Sequence, residues 1–187
     1  MSRLEAVSSE SCEESVSELF ARMRLQLEVR DDPEFLTMLA HSPSTLQGLW
    51  GFIEATLIHG GGKVAPTAKE LIALAAASSA DATPLCRLME KKLEERGFDK
   101  AVLSDLTEKG ETLRLPERTR RILLFARKAA LQPAILTDQD FEDLRKDGLE
   151  DSDLAELVGF SAMITALIAI SRALGLTGDH GRGESKS

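Results

Sequence analysis

The sequence contains no tyrosine, and its few Phe and Trp residues bring aromatics to only 4% of 187 positions. Any core must therefore be aliphatic, filled by Leu, Ile, Val and Ala rather than by stacked rings. Cysteine is scarce too: Cys12 and Cys86 stand alone and far apart, a usage that argues against a disulfide framework and fits reduced thiols in a cytoplasmic protein. Basic clusters are missing. With 23 Lys and Arg against 31 Asp and Glu, the net charge of -8 leaves no cationic stripe to neutralise phosphates, so nucleic acid is not an expected partner. The opening MSRLEAVSSESCEESVSELF carries acidic residues where a signal peptide needs an apolar run. The most apolar stretch, Leu157 to Ile170, is interrupted by Ser161 and Thr165 and falls short of the roughly 20 residues that span a bilayer. It reads as a buried helix, and no membrane partner is expected. No set of His, Cys, Asp or Glu has ligand spacing, and Gly60-Gly61-Gly62 lacks the Gly-Lys-Ser/Thr of a phosphate loop. Neither a metal nor an organic cofactor is expected.

The chain does have helical periodicity throughout. Val16, Leu19, Phe20, Met23 and Leu27 mark one apolar stripe at the spacing of an α-helix. Asp32-Pro33, Ser42-Pro43 and Thr83-Pro84 look like caps followed by a proline at the first helical position. The glycines at 60–62, Gly97 and Gly148 read as helix stops. Further helices are expected from Pro66, over 101–107, over 116–130, from the cap Thr137, and from Asp151 to about Leu174. No stretch alternates with period two for long enough to make a strand. The expectation is an all-α bundle of about eight to nine helices, in one domain over 10–177 with flexible tails at 1–9 and 178–187. Trp50, Phe52 and Phe125 are expected in its core.

An internal repeat is also visible. Pro66 to Ile72 resembles Pro116 to Ile122, and Leu93 to Phe98 resembles Leu144 to Leu149. Either two related helical halves or the general start and stop signals of amphipathic helices would account for it.

Several stretches together resemble the carboxymuconolactone decarboxylase and alkylhydroperoxidase D (AhpD-like) superfamily, in its peroxidase-related branch. They are Leu39-Ala-His-Ser-Pro43, Lys69 to Ala75, Arg121 to Lys128, Leu136 to Asp140 and Leu144 to Gly148. The resemblance implies a helical bundle that assembles into homo-oligomers, an oxidoreductase of the peroxiredoxin type, and a small-molecule substrate, either a hydroperoxide or a small organic acid. In the peroxidase members a Glu on the core helix precedes a Cys-x-x-Cys and then a His. The thiolate attacks peroxide, the second thiol resolves the sulfenic acid, and Glu and His move protons.

By that resemblance Glu70 matches the Glu, and ungapped counting puts Ala82 and Leu85 at the cysteines and Met89 at the histidine. A one-residue shift would place Thr83 and Cys86 at the cysteines and Glu90 at the histidine. In neither register does the motif hold a resolving pair. The candidate site residues are accordingly Glu70, Cys86, Thr83 and His59. Glu70 is either a core-facing acid or base, or a first-turn carboxylate at the solvent edge. Cys86 is either a lone peroxidatic thiol or an inert small hydrophobe beside Leu85 and Leu88. His59 either reaches a pocket past the glycines or stabilises a helix end. His41 reads as local structure. The two resulting readings are a peroxidase-related enzyme with a degenerate dithiol site, and a non-redox protein that performs proton transfer through Glu70 or serves binding and assembly without catalysis.

Overall fold

In the computed structural model, residues 2–108 and 115–176 are described, and the expected closing tail over 178–187 lies outside them. Nine α-helices follow one another among these residues: α1 (Glu14–Leu27), α2 (Glu34–Thr37), α3 (Pro43–Ile53), α4 (Pro66–Ser79), α5 (Thr83–Glu95), α6 (Lys100–Glu108), α7 (Glu117–Leu131), α8 (Asp138–Lys146) and α9 (Asp151–Ala173). A 3-10 turn (Met38–His41) joins α2 to α3, a π-helical turn (Glu54–Ile58) extends α3, and a second 3-10 turn (Pro133–Ile135) precedes α8. No strand occurs among the described residues.

Helix α4 is the axis of the bundle. Leu71, Ile72, Ala73, Leu74, Ala75, Ala76 and Ala77 are all buried, because α5, α6, α7 and α9 pack around it. Its run of alanines lets neighbouring helices approach closely, which an aromatic-poor core requires. Trp50 and Phe125 are in the core as expected, but Phe52 is 38% exposed. Phe52 lies on the outward face of α3, where the wide π-helical turn after it turns Thr56 inward instead.

The start and stop signals are borne out at most ends. Thr137 and Asp140 form a reciprocal capping box at α8, and a second box, Glu150 with Asp153, opens α9. Two cap readings change. Pro33 rather than Asp32 is the N-cap of α2, and Asp32 instead takes an ion pair from Arg24. At α5 the N-cap is Ala82, and Thr83 is already the first helical residue. Helix α9 has the expected bounds to within a residue. It runs 23 residues and holds an 18-residue window of mean hydropathy 1.9, half of it buried inside the fold. Its Ala, Gly and Ser residues prolong the helix without adding bulk, so length and composition alone would suit a membrane span, whereas the packing is that of a core helix.

The N-terminal segment lies along the body: Arg3 N–H donates to Leu174 O at 2.9 Å and Val7 N–H to Thr37 O at 3.3 Å. His41 Nε2 is 3.0 Å from Glu5 O, a contact to the N-terminal segment rather than to its own turn.

The stop signals shared by the two similar stretches take the same form, which also ends α9 at Gly175 (φ 74°). Gly97 and Gly148 both adopt φ 85°, closing α5 and α8 in the left-handed conformation that glycine reaches without strain. Phe98 N–H reaches back to Leu93 O (3.0 Å) and Leu149 N–H to Leu144 O (3.2 Å). The offset between the similar stretches is 50 at Pro66 and Pro116 but 51 at Gly97 and Gly148, and α4–α5 pack closely along each other whereas α7–α8 touch only briefly.

Candidate functional site

Glu70 lies in the first half of α4 and is 2% exposed, which decides between the two readings of this residue in favour of the core. It does not face an open cavity. Arg96 Nη2 donates to Glu70 Oε1 at 3.0 Å, and Arg96 Nε is 2.8 Å from Oε2, an ion-pair distance without hydrogen-bond alignment. Lys92 Nζ is 3.7 Å from Oε1. Lys92 comes from the last turn of α5 and Arg96 from its C-cap; α5 runs back along α4 after the tight turn at 80–82. Glu28, the left-handed residue (φ 58°) that ends α1, completes the group from the solvent side, 3.6 Å from Lys92 and 3.5 Å from Arg96. Lys92 also donates to Leu27 O at 2.7 Å. Glu70 holds the Arg96 guanidinium above its ordinary pKa, chiefly through the hydrogen bond. Every charge here has an opposite partner, so the group ties α1, α4 and α5 together.

One turn earlier on α5 the chemistry disappears. Ala82, Leu85 and Met89 are 0%, 1% and 1% exposed. Leu85 and Met89 wall an apolar cavity of about 10 Å³ together with Ala73, Leu27 and Phe35, a space on the order of a single water molecule. No thiol, imidazole or carboxylate lines it. Cys86 is buried, and desolvation, assisted by the charges of Glu90 and Asp81, pushes its thiol up to about 12. At neutral pH such a group is the thiol, not the nucleophilic thiolate. Thr83 is buried with its Oγ1 unpartnered among the described residues. His59 is exposed past the π-helical turn, its backbone N–H donating to Glu54 O at 2.8 Å. Cys12 and Cys86 are both free. Glu70, Cys86, Thr83 and His59 are thus not brought into one site: among the described residues no hydrogen bond or ion pair joins any two of them. No group of three or more metal-ligating side chains occurs there either.

A second charged group has no counterpart in the sequence reading. Lys69 is 1% exposed, donates to Thr56 O at 2.6 Å, pairs with Glu156 of α9, and lies 5.8 Å from the Phe160 ring centre. Gly62 N–H donates to Glu156 Oε2 (2.8 Å) and Lys63 N–H to Asp153 Oδ1 (2.7 Å). A Cβ at Gly60 would collide with Lys69 Nζ and Glu156 Oε1. The glycines therefore let backbone close over a buried ion pair, and their proximity to the start of α4 was the available signal. The amine of Lys69 is committed to two acceptors and is no free nucleophile.

A second ion pair has the same spacing with its signs exchanged. Arg121 of α7 and Asp147, the C-cap of α8, pair through Nε and Oδ2 at 2.6 Å, separated by the same 26 residues as Glu70 and Arg96. Arg121 also pairs with Glu117, and Asp143 with Lys146.

No family model matches the sequence, and no curated protein matches it. Solved structures do. An uncharacterized peroxidase-related protein from Silicibacter sp. TM1040 superposes with a TM-score of 0.78 at 17% identity, over 93% of this chain and 90% of that one. The alkylhydroperoxidase AhpD core of a peroxidase-related protein from Ralstonia eutropha JMP134 gives 0.75 at 19% identity, over 95% and 93%. A variant of the debrominase Bmp8 in complex with 2,3,4-tribromopyrrole gives 0.76 at 16% identity, over 94% and 90%. The chain has the AhpD-like fold.

Proposed function

We propose that this AhpD-like protein is a redox-silent member of its fold group, a cytoplasmic binding or assembly protein rather than a hydroperoxide reductase. The reading is supported by the burial of Ala82, Leu85 and Met89, which the ungapped register of the resemblance counts at the dithiol and histidine positions, the last two sealing an apolar cavity of about 10 Å³. The one nearby thiol, Cys86, is protonated and buried. Glu70 offers no alternative chemistry, because its carboxylate is bound by Arg96 and Lys92 and a substrate would have to displace them. The fold neighbours include both peroxidase-related proteins and a debrominase, so the scaffold does not dictate one reaction.

Homo-oligomer formation belongs to the same reading. On the outward side of α9, Ala155, Val158, Ala162 and Ala169 are exposed, an apolar strip of the kind that subunits cover.

The test is turnover of an organic hydroperoxide with a dithiol reductant, run beside Cys86→Ser. Equal background rates are expected for the two proteins. Turnover that Cys86→Ser abolishes would overturn the proposal. Light scattering at micromolar concentration is expected to give a multiple of the 20.4 kDa chain mass, and a strict monomer would remove the assembly part.

A further inference from the structure

Along the outer side of α7 runs a hollow of about 850 Å³, closed at its edges by the end of α4, by α8 and by the last turn of α9. That volume lies in the range of small-molecule sites. Its apolar surface comes largely from Leu124 and Ile135, which are 41% and 53% exposed. On α4, by contrast, Ala73 is fully buried beside Leu27, Phe35 and Leu36. No such roof covers Leu124 among the described residues.

The charges in the wall are unequal. Arg121 is held by Asp147 and Glu117, and Lys128 by Asp140. Asp143 is held by Lys146 and Gln139. Arg127 and Arg172 also line the hollow and have no ion pair among the described residues. Two guanidiniums without an ion pair thus share the hollow with exposed aliphatic surface.

We propose that this groove binds an amphipathic organic anion, a carboxylate head on an aliphatic body. The planar guanidiniums of Arg127 and Arg172 suit a carboxylate's two oxygens, and an aliphatic tail laid on Leu124 and Ile135 removes apolar area from water. A polar anion would leave that surface exposed, and a neutral lipid would leave the arginines without a counter-ion. The inference goes beyond the redox-silent reading and does not rest on it, since the groove lies against α7 and α8.

The experiment titrates the full chain with sodium decanoate, reading affinity by calorimetry and location by amide chemical shifts. The comparisons are 1-decanol, inorganic phosphate and the variant R127Q/R172Q, whose fold is checked by its thermal melt. Decanoate is expected to shift amides within 121–144 and at Arg172. The double variant and decanol should each bind at least ~10-fold more weakly, the loss set by charge-assisted hydrogen bonds. Phosphate should not saturate the site. Equal decanoate affinity in R127Q/R172Q, shifts confined to other helices, or no binding at millimolar decanoate would overturn the proposal. So would a change in sedimentation of R127Q/R172Q with decanoate binding intact, which would assign the groove to self-association.

Discussion

Glu70→Gln separates a structural carboxylate from a catalytic one, because the two roles predict opposite signs. Gln keeps the shape of the side chain and removes its charge. Lys92, 6% exposed, would then retain only Leu27 O at 2.7 Å and Glu28 at 3.6 Å, and Glu28 is itself 69% exposed. Removing one partner of a buried ion pair costs ~3–5 kcal/mol. Arg96 is 37% exposed on its side chain and can turn to water, so the expected loss falls below that range, at about 2–3 kcal/mol. For a chain of this length that lowers Tm by about 5–10 °C. Urea denaturation followed by helical circular dichroism measures the change directly, and Arg96→Gln should give a smaller loss through the same group. A carboxylate kept for chemistry is commonly held at a cost to stability, and its removal is neutral or stabilising. A Glu70→Gln protein within ~0.5 kcal/mol of the parent, or above it, would refute the structural reading and reopen proton transfer at this position.

Gly60→Ala should cost about 3 kcal/mol, since its Cβ would displace Lys69 or Glu156 from a buried pair; a normal urea midpoint would show that the loop is not closed over the pair. Cys86 should resist iodoacetamide at pH 8 in the folded protein and react after unfolding, while Cys12 reacts in both states; mass spectrometry of native samples labelled at Cys86 would contradict the raised thiol pKa. The Asp153 carboxyl is held below its ordinary pKa by the backbone N–H groups of Glu150 and Lys63. A lowered folded pKa contributes stability above the unfolded value of about 3.9 and loses it as pH falls through the folded value. Stability should therefore be level in this respect down to about pH 4 and fall below it, and Asp153→Asn should flatten that acid limb; an unchanged limb would remove Asp153 as a cause.

Most of the fold was legible because helix ends are local chemistry. Gly97, Gly148 and the Thr137 box act within a few residues of themselves, so their meaning survives without a partner. Thr83 was misread because the chain enters α5 one residue sooner, through the positive-φ residue Asp81 (φ 54°), leaving the hydroxyl inside the first turn. The candidate site was legible only as residue types. That Glu70 meets Arg96 depends on the hairpin turn, and that Lys69 meets Glu156 depends on contact across 87 positions, a separation that periodicity cannot register. Phe52 was assigned to the core by composition alone, and the face it occupies became visible only with the π-helical turn beyond it.

The opposite polarity of the two ion pairs has a consequence during folding. Chains with internal duplications risk docking one unit's helix against the other unit's partner, a characteristic failure of repeated architectures. Here a mispaired α4 and α8 would bring Glu70 against Asp147, and a mispaired α7 and α5 would bring Arg121 against Arg96. Both errors would bring like charges together where the correct arrangement pairs opposite ones. Two helix pairs with the same closing glycine signal are thereby told apart by the sign of a few side chains.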